Sequence, residues 1–376
     1  MIETSLRERV RVGAAVLLVG IGCAGCGAFG SLREHQEQLA AARAEIQANR
    51  LDVAVTHLER AIAANPGDAR GHLLLADVQR RLKHDDEFDR NVRRALLVDP
   101  GSPDAVLANA GLLAESGDLP RALALLDGAA DRHPNRPEIH WGRGLLLLRG
   151  GDPHSLLEAA LQLVEYADAT REGDLRIGGL LLVAIARQRI DPIDPQALTD
   201  FCDAAKIEPD VAMGAGEELA GAGADKDLLT LADRCASSSE PDANAALVSA
   251  YVTLRGGNAD RAIAIADGVL SRLKTQGAMA TSRIALDLDV LAARAHLELG
   301  QGGAAAARLA AQARARPDLD GLWRMYADAA FASRSADVMN QLKADLADAA
   351  DQTKDPALLE LFAQIARAVE QALHPR

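Results

Sequence analysis

Aromatic side chains are scarce. Phe, Tyr and Trp make up 3% of the 376 residues, against an apolar total of 49%. Packing therefore falls to Ala, Leu and Val, and with few alternating β-branched runs the composition is that of an all-α protein. Basic residues are also short, 41 Lys and Arg against 54 Asp and Glu, and the net charge of −13 excludes the clustered positive footprint that nucleic acid requires. Cysteine is limited to four residues, and no second pair follows Cys23 and Cys26 at zinc-ligand spacing.

The motifs of the common catalytic sites are missing as well. No Gly-Lys-Ser/Thr phosphate loop, His-Glu-x-x-His or Gly-x-Ser-x-Gly occurs. The segment "GAGEELAGAG" has neither a preceding strand nor the glycine spacing of a dinucleotide loop. The nine histidines are scattered, and His133 and His140 read as solvated helix-end residues rather than metal ligands. The expectation is a non-enzymatic chain with no cofactor, no metal and no small-molecule substrate.

What is present begins with a leader. "MIETSLRERVRVGAAVLLVGIGCAGCGAFG" places Arg7, Arg9 and Arg11 before an apolar stretch, Val12 to Ile21, that ends among small residues. That is the layout of a secretory signal, and the apolar part is short for a membrane span. Ala24-Gly25-Cys26 resembles the end of a bacterial lipoprotein signal, in which cleavage precedes a lipidated cysteine. The resemblance implies a leader at 1–25, lipid on Cys26 and a linker at 26–36. The position three before the cut is Cys23 instead of the usual Leu, so a cut before Cys23 and an uncleaved anchor remain the competing outcomes. Removing three Arg and two Glu with the leader takes the charge from −13 to −14. Cys202 and Cys235 stand 33 residues apart, and two buried thiols are expected in preference to a bridge.

A 34-residue rhythm runs through the first half. Pro66, Pro100 and Pro134 are 34 apart. At fixed offsets before them stand Ala42, Ala76 and Ala110; Ala54, Phe88 and Ala122; Leu58, Val92 and Leu126; and Ala61, Ala95 and Ala129. Turn residues fall at Asn49, Lys83 and Gly117. Small residues let two antiparallel helices approach, larger ones fill the seam between pairs, and Pro ends the unit. Period and residue order together resemble the tetratricopeptide repeat family, in a degenerate form short of aromatics. The register persists through Gly144, returns at Ala197, Phe201 and Ala204 before Pro209, and forms further units around Gly257 and up to Pro317.

The resemblance implies an α-solenoid of stacked helix pairs, a TPR-like superhelix. Repeats are expected at 37–168, irregular helical repeats at 169–241, repeats again at 242–352 and a capping helix at 353–376. It also implies a concave face lined by first helices that holds protein or peptide partners. The residue 27 before each Pro is Leu39, Leu73 and Leu107, and the next step reaches Trp141. These four either line an apolar partner-binding groove or are buried as core by a curled array.

The resulting functional expectation is a lipid-anchored scaffold of the bacterial cell envelope. It would face the periplasm, with the outer membrane preferred because Gly27 follows Cys26, and gather parts of a pilus, secretion, polysaccharide-export or wall-assembly machine. The alternative is an inner-membrane repeat protein that recruits or regulates an enzyme.

Overall fold

The structure is a computed structural model that describes residues 25–237, 242–275 and 283–374. The described residues form nineteen α-helices and one short π segment, with no strand among them. The helices divide into two compact units, one ending at Asn109 and one beginning at Ala110, inside the stretch expected to be one run of repeats.

The first unit holds α1 (Gly25–Gln47), α2 (Leu51–Ala64), α3 (Ala69–Arg81), α4 (Asp85–Val98) and the start of α5 (Pro103–Glu115). The second continues with α6 (Leu119–Arg132), α7 (Pro137–Gly150), α8 (Pro153–Thr170), α9 (Gly173–Ile190) and α10 (Pro195–Ile207). Beyond these come α11 (Pro209–Leu219), a π turn (Ala220–Ala224), α12 (Asp225–Ala236), α13 (Ala243–Arg255) and α14 (Ala259–Thr275). The series ends with α15 (Arg283–Glu298), α16 (Gly302–Ala315), α17 (Asp320–Ser333), α18 (Ala336–Gln352) and α19 (Pro356–Leu373). Stretch 26–36 lies within α1, so the linker expected there is helix instead. The leader, with Cys23, lies outside the described residues, and Cys26 falls in the first turn of α1.

All twelve residues of the 34-step pattern are buried. The turns between paired helices share one construction. Asn49, Lys83, Gly117, Gly257 and Gly300 adopt left-handed φ values between 56° and 85°. At Gly117, for example, the residue's own N–H donates to the Ala114 carbonyl and that of Asp118 to the Leu113 carbonyl, at 3.1 and 2.8 Å. This pair of bonds satisfies carbonyls that the helix end leaves open. At the seams, Asn65, Asp99, His133 and Arg316 precede Pro and end their helices in non-helical conformations, the consequence of the ring's clash with a helical predecessor.

In the first unit, buried His35 ties three helices together. Its Nδ1 lies 2.8 Å from the Ala61 carbonyl oxygen and its Nε2 2.8 Å from an Asp68 carboxylate oxygen. Asp68 also caps α3 by accepting from the Arg70 N–H. The bonds from Arg70, and then the one from His35, hold the Asp68 carboxyl well below the usual carboxylate range despite its partial burial.

In the second unit the irregular middle is held by cross-links that the repeat pattern does not supply. Cys202 on α10 and Cys235 on α12 form a disulfide, Cα atoms 6.0 Å apart, where two free thiols were expected. Both belong to second helices of neighbouring pairs, a geometry in which 33 residues return the chain to nearly the same place. Arg189 on α9 donates to Asp227, to the Leu148 carbonyl at 2.8 Å and to the Gly223 carbonyl at 3.3 Å. Near the end of the chain Asp345, buried on α18, accepts from Tyr326, Arg314 and Gln341 at 2.8–2.9 Å. Helix α19 packs on α17 and α18 and closes the series. No helix among the described residues is long and apolar enough to cross a membrane.

Candidate protein-docking surface

First helices of successive pairs supply the face on which such an array offers side chains to a partner, so the fate of the four stripe residues comes first. Leu39 is 4% exposed and packs with Ala42, Leu58 and Leu75 in the core of the first unit. Leu73 is half-buried against Ala69, Ala95 and Ala105, and Leu107 is half-buried as well. At Leu39 the track is core, the second of the two outcomes that the spacing left open: in an Ala-rich array the helices sit close enough to cover a Leu on the inner edge of the stripe.

Trp141, in the second unit, is half-buried and bonded. Its indole lies against α9 at Gly178, where a Cβ would come within 2.9 Å of the ring, and its Nε1 donates to the Glu218 carboxylate on α11 at 2.8 Å. Helix α9 beneath is buried from Ile177 to Ala186 except at Leu180. A run of apolar residues with no polar stripe has nowhere to go but the interior, and α7 and α11 meet over it. At Trp141 the first-helix face is thus partly covered by the protein itself.

Beyond α11 that face opens. Tyr251 on α13 donates its hydroxyl to Glu217 on α11, and burial, then the Glu217 carboxylate, push the Tyr251 pKa up. Toward the N-terminal ends of α11, α13 and α15 lies a cavity of about 290 Å³. Leu247 and Ile284 form its apolar part, and Glu208, Asp210, Asn244, Arg283 and Asp287 its polar part. Arg283 Nη2 stands 3.1 Å from Asp210 and its Nε 3.7 Å from Asp287. Burial, the larger effect, raises the Asp287 pKa while Arg283 draws it down. Asn244 is held by donation to the Lys206 carbonyl at 3.1 Å. Among the described residues no group of three or more His, Cys, Asp or Glu is placed to hold a metal ion.

The apolar stripe and the 34-step prolines do not point to this cleft. A signal was available: Asp210 and Asn244, and Glu217 and Tyr251, are each 34 apart, so the register survives where the prolines fall out of step. Arg283 and Asp287 carry no such mark, since the chain between α14 and α15 is longer than a regular turn.

The architecture defines the class, a helix-pair repeat protein. Family models described as tetratricopeptide repeat match residues 35–78 and 90–144. Over those two segments the chain matches the tetratricopeptide repeat, and the resemblance drawn from the 34-residue pattern holds there. No curated protein sequence matches it. Among solved structures it is similar to YrrB, a TPR protein with an unusual peptide-binding site, at 18% identity and TM-score 0.38 over 52% of this chain and 100% of that one. It is also similar to PilW, a type IV pilus biogenesis factor, at 16% identity and TM-score 0.36 over 67% and 96%. A third is pilF of Pseudomonas aeruginosa, at 17% and 0.34 over 69% and 97%. Likenesses this remote say nothing of what the chain binds.

Proposed function

We propose that the protein is an exported, lipid-anchored scaffold that docks a protein partner on the first-helix face of α11, α13 and α15 and so helps assemble an envelope machine. Export is carried by one observation, the Cys202–Cys235 bridge, because disulfides persist in oxidising compartments and are rare where thiols are kept reduced. The leader agrees with it: Arg-rich start, short apolar core, small residues before Cys26. Docking is supported by the repeats themselves and by the open cleft at the N-terminal ends of α11, α13 and α15. The role proposed is non-catalytic.

Alkyne-palmitate labelling in a two-membrane bacterium tests the anchor. Incorporation lost in Cys26→Ala and kept in Cys23→Ala is the expected result, with the protein in the outer-membrane fraction. Absence of label, with the protein in the inner membrane, replaces this reading by a membrane-anchored recruiter of an enzyme. Free-thiol counting on protein extracted under acid quench tests the bridge: two reactive thiols at Cys202 and Cys235 in the native cell would remove the observation on which export rests.

A further inference from the structure

We propose that the cleft at the N-terminal ends of α11, α13 and α15 takes an arginine or lysine side chain of the docked partner, and that Arg283 occupies the same carboxylates in the free protein. The proposal rests on the docking role just described and names the chemistry of the contact. Three acids, Glu208, Asp210 and Asp287, line the cavity with a single cation, Arg283. Leu247, 3% exposed, and Ile284 give it an apolar part. Long basic side chains suit such a place, laying the methylene stem on apolar atoms and presenting the charged head to carboxylates.

Arg283 is a weakly held occupant. Its side chain is 81% exposed and reaches Asp210 at 3.1 Å and Asp287 only at 3.7 Å. Exposed pairs of this kind contribute little, because Coulomb attraction in water barely exceeds the entropy of holding two side chains still. Asp287 is the most buried of the three acids: half-buried, it has Arg283 on its own helix and Asp210 of α11 facing it, with Arg316 also drawing its charge. A second cation gains most there. The chain's net charge of −13 adds attraction at long range for a basic partner.

The reverse assignment makes Arg283 the receptor for a partner carboxylate, and the two differ in sign. The test is methyl NMR of the full mature chain, following Ile284 and Leu247 while titrating N-acetyl-arginine methylamide and, separately, N-acetyl-glutamate methylamide. The arginine probe should shift both methyls. Arg283→Ala, which removes the competitor, should tighten it by about two- to fivefold, the worth of an exposed pair. Asp287→Asn should weaken it by about tenfold, the worth of a charge-assisted bond. Thermal melts confirm that both variants fold.

Loss of arginine binding in Arg283→Ala, or shifts with the glutamate probe alone, would overturn the proposal. A photo-crosslinker at position 244 separates the two levels in cells. A crosslinked partner with neither probe shifting the methyls leaves the docking face and refutes the basic side chain. Absence of any crosslink refutes the docking face itself.

Discussion

Lys83 sits at φ 63°, where a β-carbon crowds its own backbone, and its counterpart one repeat on is Gly117 at φ 85°. The two positions do the same work at the same turn, so exchanging residue types reads the strain directly. Lys83→Gly should stabilise the first unit by about 0.5–1 kcal/mol, and Gly117→Ala should cost about 1 kcal/mol, in urea melts followed by circular dichroism. A Cβ at Gly117 meets nothing within 4 Å, so backbone conformation alone would be responsible. Asp68 offers a second residue-scale test. Its folded-state pKa is depressed, so its contribution is present above the ordinary carboxylate value and is lost as pH falls through the lower, folded one. Acidification from pH 5 to about pH 2 should lower the melting temperature of the wild type more than that of Asp68→Asn. Equal losses would mean that the His35–Asp68–Arg70 cluster contributes no pH dependence.

Single helices show where close approach, not propensity, decides a residue. Gly302 opens α16, and a Cβ there would stand 2.4 Å from the Ser333 backbone nitrogen. Helix propensity alone favours Ala at that place, yet Gly302→Ala should destabilise by about 1–3 kcal/mol because backbone, unlike a side-chain tip, does not swing aside. A gain in melting temperature would show that α16 and α17 separate freely. Trp141→Ala removes the contact of α7 with Gly178 and leaves Glu218 without its donor, at a cost of about 1–2 kcal/mol, below that of a core Trp because the indole is only half-buried. Had the indole lined an open groove, the same change would leave stability nearly untouched.

The helices themselves were legible from the 34-step pattern, since small and large residues alternate as the packing needs, and the left-handed turn at Asn49, Lys83 and Gly117 falls where the spacing placed it. The docking surface was not. An apolar stripe has the same spacing whether it faces a ligand or a neighbouring helix, and at Leu39 and Trp141 the neighbour wins. Likewise nothing in the sequence tells that α7 and α11 meet over α9, because that depends on the pitch of the stack and not on any single repeat.

On the scale of the molecule, a stack of helix pairs is held by contacts between neighbours, so its weak point is wherever the pairs are least alike. In the second unit that is the stretch from α9 to α12, where a π turn with Gly223 at φ 101° breaks the helical run. The Cys202–Cys235 bridge spans this stretch and closes a loop of 33 residues. By loop-closure entropy such a cross-link contributes on the order of 3–4 kcal/mol, which makes it the main brace of the irregular pairs. The double variant Cys202→Ala/Cys235→Ala should therefore lose hydrogen-exchange protection in α9 to α12 while α15 to α19 keep theirs, because α16 to α18 are pinned separately through Asp345 and α19 packs on α17 and α18. The cleft at α11, α13 and α15 straddles the border between these regions, so loosening its α11 wall should also weaken partner capture. Uniform loss of protection across the second unit would instead mean that it unfolds as one cooperative body, and that the bridge stabilises the whole unit instead of the pairs it joins.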